Sequence, residues 1–270
     1  MEPGILPIRI GGLGNQLFIV VAAYIAAKVN GLPLYIQDMV CESHQTVKGD
    51  YADSLFSCFG KRIACLSLPY TKYEPDGFSA WSTAVPGGTA MASYFQYYPA
   101  ILPYESEIRE LILRGLSSFR DALRSVYTES YAFLHVRRGD YMNIQNVHYV
   151  QTLEYFQQAV ENIAAKRILI FSDDIHWVES QEFFRSERFI LCRGLNELET
   201  LSLMSLCTEG AVCSNSTFSW WGAFLGAHSL RNPVIVPKKW INCSLFNTEA
   251  WPVRSGVKVP PLFPEEWIVL

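Results

Sequence analysis

Short apolar runs alternate along this chain with stretches of helical periodicity, and that alternation points to βαβ units wrapped around a mainly parallel sheet. The first run, Ile5 to Ile10, meets the turn "GGLGNQ", after which Leu17, Val20, Val21, Tyr24, Ile25 and Val29 recur at helical spacing until Asn30-Gly31 closes the helix. "LPLYI" (32–36) reads as the next strand. Residues 38 to 104 are irregular and rich in Pro, Gly, Ser and Tyr, as in a segment that covers a cleft or supplies variable contacts. Residues 104 to 125 read as a helix followed by a connector, and a domain boundary is expected near 125 to 130. A more regular series begins at "YAFLHV" (131–136). It continues as helix 150–165, strand "RILIF", helix 174–184, strand "RFILC", helix 196–207, strand "GAVCS", helix 216–229 and strand "PVIVP". Successive units of this kind form a Rossmann-like half, in which ligands sit at the carboxyl ends of the strands.

Composition narrows the function classes. Of the 270 residues half are apolar and only 18% are charged, which excludes a disordered chain, and the net charge of -4 argues against a nucleic-acid partner. A local basic pocket for one phosphorylated ligand remains open. An aromatic share of 14% suits the flat faces of sugars, although aromatics also fill cores. Seven cysteines, at 41, 58, 65, 192, 207, 213 and 243, form no C-x-x-C pair and no zinc-spaced cluster with histidine. They read as scattered free thiols of a reducing compartment. No apolar run approaches the ~20 residues of a transmembrane helix, and the start "MEPGILPIRI" lacks a signal-peptide pattern. The expectation is a soluble, cytoplasmic chain, in which the sequons at Asn215 and Asn242 carry little weight for glycosylation.

Each distinctive motif falls where a strand ends. "GGLGNQLF" (11–18) lacks the third glycine of the dinucleotide fingerprint. It is either a tight turn with Asn15 capping the helix, or a loop whose Asn15 and Gln16 offer amide donors to an anion or a sugar hydroxyl. In "HVRRGDY" (135–141), alternation puts Phe133, His135 and Arg137 on one face of the strand and Leu134, Val136 and Arg138 on the other. A burial-prone strand ending in Arg-Arg needs an anion for each guanidinium. One arginine is expected to pair with Asp140 or another carboxylate and the other to be free for a phosphate; two internal ion pairs are the alternative. In "FSDD", Ser172, Asp173 and Asp174 mark the change from strand to helix. A non-metal role is favoured: an aspartate accepts the two N–H donors of a guanine edge, or caps the helix. Ser214, Asn215, Ser216 and Thr217 then supply hydroxyls and backbone N–H groups at a helix start suited to a diphosphate. Along that helix Phe218, Trp221 and Leu225 share a face, Trp220 and Trp221 read as core, and Gly222, Ala223, Gly226 and Ala227 are expected to let the helix approach the sheet closely. His44, His148, His176 and His228 show no metal-ligand spacing, and His148 is a catalytic possibility on a loop.

At these residues the chain resembles the α-1,2-fucosyltransferases of glycosyltransferase family 11. "GGLGNQLF", "YFQYY" (94–98), "HVRRGDY", "FSDD" and "SNSTFSWWGAF" occur in the family's order and span residues 11 to 224. The shorter H-x-R-R element is shared with α-1,6- and protein O-fucosyltransferases. The resemblance implies an α/β fold of the GT-B kind, with two Rossmann-like domains facing a cleft. Here these would be an N-terminal acceptor-side domain (1–128) and a C-terminal donor-binding domain (129–270). It further implies GDP-fucose as donor, a galactose-terminated oligosaccharide as acceptor, inversion at the anomeric carbon, and neither a metal nor a separate cofactor. Carried over residue by residue, Arg137 is similar to the arginine that binds the diphosphate, and His135 to the motif histidine near the nucleotide. Asp173 or Asp174 would meet guanine, Asn215, Ser216, Thr217 and Phe218 would line the donor, and Asn15 would face the cleft. Asp140 is either the catalytic base or the internal partner of Arg138. The segment "MNIQNVHYVQTLEYF" departs from relatives that carry a glycine-containing stretch at this point.

Overall fold

The glycine turn after the first apolar run opens into a long helix because nothing between Leu13 and Asn30 interrupts helical spacing, and Gly31, at a left-handed φ of 63°, ends it. In the computed structural model, which describes residues 2–38, 51–64, 69–226 and 232–270, this chain forms two compact units, Met1–Ser118 and Phe119–Leu270. The first contains β1 (Ile5–Pro7), α1 (Leu13–Asn30), β2 (Tyr35–Gln37), β3 (Lys61–Ile63), β4 (Thr71–Tyr73), β5 (Thr89–Met91), α2 (Tyr98–Ile101) and α3 (Glu105–Gly115), with α4 (Ser117–Arg124) starting at the break. Strands β1, β5 and β4 form one parallel sheet and β2 and β3 another, joined by a parallel bridge from Ile5 to Leu34. So β1 lies between β2 and β5. Strands β3, β4 and β5 fall in the stretch expected to be irregular. Three residues each is too short for a period to show, and "KRI" and "TKY" place mostly exposed polar side chains on outer strands.

Helix α1 differs from expectation in a second way. By length and composition it is apolar enough to cross a membrane, although its polar residues break up the run in sequence. It is 72% buried within the protein and packs on β1, β5 and α2, as a core helix does. Tyr24 on α1 donates to Glu107 of α3 at 2.5 Å, and Lys28 pairs with the same carboxylate at 2.7 Å.

The second unit holds β6 (Ala132–Val136), α5 (Leu153–Glu161), β7 (Ile168–Ser172), α6 (Ile175–Ser180), β8 (Phe189–Leu191), α7 (Glu197–Met204), β9 (Ala211–Val212), α8 (Thr217–Gly226) and β10 (Val234–Val236). The hairpin β11 (Val253–Arg254) and β12 (Val257–Lys258) follows, then β13 (Ile268–Val269). Six strands make one parallel sheet in the order β13-β10-β9-β6-β7-β8. Counted from β6 this is the order 3-2-1-4-5-6, the doubly wound arrangement of a dinucleotide fold. Its strands read as unbroken apolar runs because helices cover both faces. Every residue of β6 is buried, and Leu134, Val136, Phe156, Ile170 and Val212 share one core cluster.

The expected small-residue face of α8 is corrected by the structure. A Cβ on Gly222 would meet Met204 Sδ at 2.6 Å, and one on Gly226 would meet the Met204 carbonyl at 2.6 Å. The close neighbour is the end of α7, not the sheet. Trp220 and Trp221 are wholly buried, and the Trp220 indole N–H donates to the Leu262 carbonyl at 2.7 Å, so both are core residues. Of the cysteines, Cys58 is half-buried and Cys192, Cys207 and Cys213 are buried, all four as free thiols. Cys41, Cys65, His44, Ala227 and His228, with the expected helix end at 227–229, lie outside the described residues, as does the side chain of Cys243.

Candidate active site

The chain order reverses between β6 and β9, which pair in the sheet, and the loops leaving their carboxyl ends meet there. Ser214, fully buried just past β9, joins them: its hydroxyl donates to the His135 carbonyl at 2.7 Å and accepts from the Arg137 N–H at 3.0 Å. The backbone that carries both arginines is thereby fixed to the next strand.

Both guanidiniums are paired within the protein, so the alternative with two internal ion pairs is the one this structure adopts. Arg137 bridges Asp140 at 2.6 Å and Asp173 at 2.9 Å, and Arg138 bridges Asp174 at 3.0 Å while lying 4.3 Å over the Trp177 ring. The expected pairing of Asp140 with Arg138 is corrected in the same way. Alternation sends the two arginines to opposite faces, and Asp140 returns three residues later on the Arg137 side. Three carboxylates thus face two guanidiniums.

The two aspartates of "FSDD" divide their work. Asp173 accepts the Arg138 N–H at 2.9 Å, and Gly139 lies so close to it that a Cβ there would collide with the carboxylate. Asp174 caps α6 by accepting the Trp177 N–H at 3.0 Å, and its own N–H donates to the Ser172 hydroxyl at 2.9 Å. The capping role is therefore filled by Asp174. Asp140, Asp173 and Asp174 sit on cations, and no group of three His, Cys, Asp or Glu residues among those described is disposed to hold a metal ion.

His135 is 6% exposed, with its Nδ1 unpartnered, and its ring lies 6.0 Å from that of Phe218 on α8. Burial, and then the charge of Arg137, push its pKa down to about 3, so the imidazole is neutral at physiological pH. Asn215 is 1% exposed and its amide is fully engaged. It donates to the Tyr149 carbonyl at 2.8 Å and the Trp240 carbonyl at 2.9 Å, and it accepts from Gln151 at 3.0 Å. Such an asparagine is inaccessible to glycosylation in the folded protein. Ser216 and Thr217 open α8, where the Ser216 carbonyl accepts the Trp220 N–H at 3.0 Å.

In the first unit, α1 is capped by the backbone of Gly12, with no side-chain cap, which corrects the expected capping role of Asn15. Asn15 lies within the first turn and accepts from Gln96 at 3.3 Å, while Gln16 is buried and donates back to the Gly11 carbonyl at 2.9 Å. Gly11, at a φ of 72°, brings its Cα so close to Asn15 that a Cβ would lie 2.7 Å from the amide nitrogen. Two site neighbours escaped the sequence reading. Tyr141 directly follows Asp140 in the arginine motif, and its ring centroid lies 5.2 Å from the Arg137 guanidinium carbon; Trp177 backs Arg138. In the first unit Arg9, at the end of the first apolar run, is 6% exposed and donates to the Gln37 carbonyl. The position of Tyr141 in the motif was the available signal.

The doubly wound sheet with paired arginines at its switch point has the GT-B fold class. The model of glycosyl transferase family 11 matches residues 79–250, well over half of the chain, and the protein belongs to that family. It is similar to the O-antigen biosynthesis glycosyltransferase WbnK of Escherichia coli, at 26% identity over 89% of this chain and 97% of the relative. It is also similar to an alpha-1,2-colitosyltransferase of Escherichia coli, at 24% identity over 88% of this chain and 92% of that one. Among solved structures, the fucosyltransferase NodZ from Bradyrhizobium shares the fold with a TM-score of 0.55 at 14% identity, covering 87% of this chain and 95% of NodZ. A NodZ alpha-1,6-fucosyltransferase crystal soaked with GDP-fucose matches at 0.53 and 16% identity, covering 84% and 93%.

Proposed function

We propose that the protein transfers L-fucose from GDP-β-L-fucose to the 2-hydroxyl of a galactose-terminated glycan, with inversion to an α linkage. The observation that carries this reading is Arg137. It is a cation at the switch point of a doubly wound sheet, held by two displaceable carboxylates in a protein of glycosyl transferase family 11. Family membership and the match to an alpha-1,2-colitosyltransferase over 88% of this chain support a 1,2 linkage. The GDP-fucose-soaked neighbour of the same fold supports the donor.

In this mechanism the acceptor oxygen forms a bond to the anomeric carbon while the bond from that carbon to the phosphate oxygen breaks, and the electron pair leaves with GDP. Arg137 and the backbone N–H groups at the start of α8 stabilise the charge on the leaving diphosphate. When the diphosphate takes the Arg137 donors, the carboxylate that yields is Asp140, whose side chain is 42% exposed against 27% for the better anchored Asp173. Once released, the Asp140 carboxylate takes the proton of the acceptor hydroxyl. His135 and Phe218 line the donor beside Arg137, and Asp173 and Asp174 keep the two arginines in place. Guanine recognition by either aspartate requires it to leave its arginine. The first unit, through Asn15, serves the acceptor side. The protein needs no metal or separate cofactor in this scheme, and the reaction runs in the cytoplasm.

A second reading has a specific support, the colitosyltransferase relative: the transferred sugar is colitose, which is fucose without its 3-hydroxyl. Incubation with GDP-fucose or GDP-colitose and lactose or type 1 and type 2 disaccharides, with NMR of the products, tests both. A fucosyl product linked to O-2 of galactose is expected. Preference for GDP-colitose shifts the donor, a 1,6 linkage or transfer to protein overturns the acceptor, and GDP binding without transfer or hydrolysis makes the protein a non-catalytic binder.

A further inference from the structure

An arginine that must meet a diphosphate in one orientation needs its plane fixed as well as its edges. The two carboxylates hold the edges of Arg137, Asp173 on Nη1 and Asp140 on Nη2. They leave the plane free to tilt. The guanidinium carbon lies over the Tyr141 ring, 5.2 Å from its centroid. That ring is itself fixed twice. Its hydroxyl donates to the Asn215 carbonyl at 3.1 Å, and the His148 imidazole stacks on it, with centroids 4.3 Å apart and planes 8° from parallel.

The stack is anchored to three strand-end loops. The His148 N–H donates to the Ile144 carbonyl at 3.0 Å, and His148 bridges Ile241 beyond β10. The Asn215 amide ties the Tyr149 and Trp240 carbonyls together, and Gln151 donates to both Asn215 and the Lys239 carbonyl, the latter at 2.7 Å. Loops leaving β6, β9 and β10 are thus joined under one tyrosine.

We propose that Tyr141, backed by His148 and suspended from Asn215, is a positioning residue that sets the plane of the Arg137 guanidinium. His148 then acts as the under-layer of the stack and not as an acid or base. Burial lowers its pKa and keeps it neutral, and its Nδ1 is buried and faces no partner. Asn215 holds the loops in place of contacting a ligand. The inference rests on the reading of Arg137 as the diphosphate-binding cation.

The test is a double-mutant cycle on the full-length chain, with kcat and KM measured for GDP-fucose and for the acceptor. Tyr141→Leu is expected to lower kcat/KM for GDP-fucose about 30-fold with the acceptor KM within about twofold, because a contact acting through one side chain is felt at the step that side chain serves. Tyr141→Phe keeps the ring and is expected to restore activity to within about threefold. In an Arg137→Lys background, which lacks a planar cation, Tyr141→Leu is expected to cost less than about threefold more. Equal losses in the two backgrounds, or a parallel fall in acceptor binding, overturn the positioning role. If Tyr141→Leu does not fold, His148→Leu against His148→Phe repeats the comparison one ring further down, with the phenylalanine variant expected to be the more active. Normal GDP-fucose turnover by Arg137→Ala defeats the functional reading itself. A dead Arg137→Ala with an additive Tyr141 cycle defeats only this inference.

Discussion

The loop after β1 and the loop after β6 hold the same station, each at the carboxyl end of a strand from which its parallel sheet extends both ways. They are built from different materials. The first is glycine and amide: Gly11 at positive φ, Gly12 as backbone cap, and Gln16 and Asn15 bonded to neighbours inside the same unit. Arg9 nearby is buried and engaged with the Gln37 carbonyl. The second loop is ionic: Arg137 and Arg138 with Asp140, Asp173 and Asp174, hinged on Ser214. Charges concentrated at one switch point suit a diphosphate, whereas neutral amides suit hydroxyls, the contrast on which the proposed donor role of the second unit and acceptor role of the first rest.

The largest expected effect attacks the ionic loop. Arg137→Ala should lower turnover of GDP-fucose about 1000-fold with an unchanged melting temperature, whereas Asn15→Ala should lower it about tenfold, mainly through the acceptor KM. Equal effects from the two would erase the distinction between the loops. Gly139→Ala comes next: its Cβ collides with Asp173 Oδ2, the oxygen paired with Arg137, and turnover should fall about tenfold.

A pH experiment probes the same loop. Burial, followed by Arg137, holds the His135 pKa at about 3, while the unfolded chain takes up that proton near 6.5. Stability is therefore complete above about pH 6.5 and is lost as the pH falls towards 3, by about 2 kcal/mol between pH 6.5 and 5. Urea unfolding at the two pH values measures it, and His135→Phe should remove that slope. The smallest effect concerns the thiols. Burial raises the pKa of Cys192 to about 11 and of Cys213 to about 12, and raises that of Cys207 as well. Alkylation of the native protein mapped by mass spectrometry should mark Cys58 in the first unit and spare these three in the second.

The strand and helix order of the second unit was legible because its central strands β6, β7, β9 and β10 are buried apolar runs. The short β3, β4 and β5 were not, nor was β13, which owes its place to pairing with β10 more than 30 residues earlier in the chain. At the site, residue types and positions were readable: Arg137, Asp173 and Ser216 all lie at strand ends. Pairing was not, since which carboxylate meets which guanidinium depends on the β6–β7 and β6–β9 registers. The same holds for Gly222, whose neighbour on α7 is a matter of helix packing that periodicity along one helix does not encode.

Titration of GDP into the full-length protein and into Arg137→Ala by calorimetry tests the central claim most directly. The account predicts saturable binding by the unaltered chain and an affinity at least about tenfold weaker for the variant, with both proteins equally folded. Equal affinity in the two would contradict the placement of the diphosphate at the β6–β9 switch point.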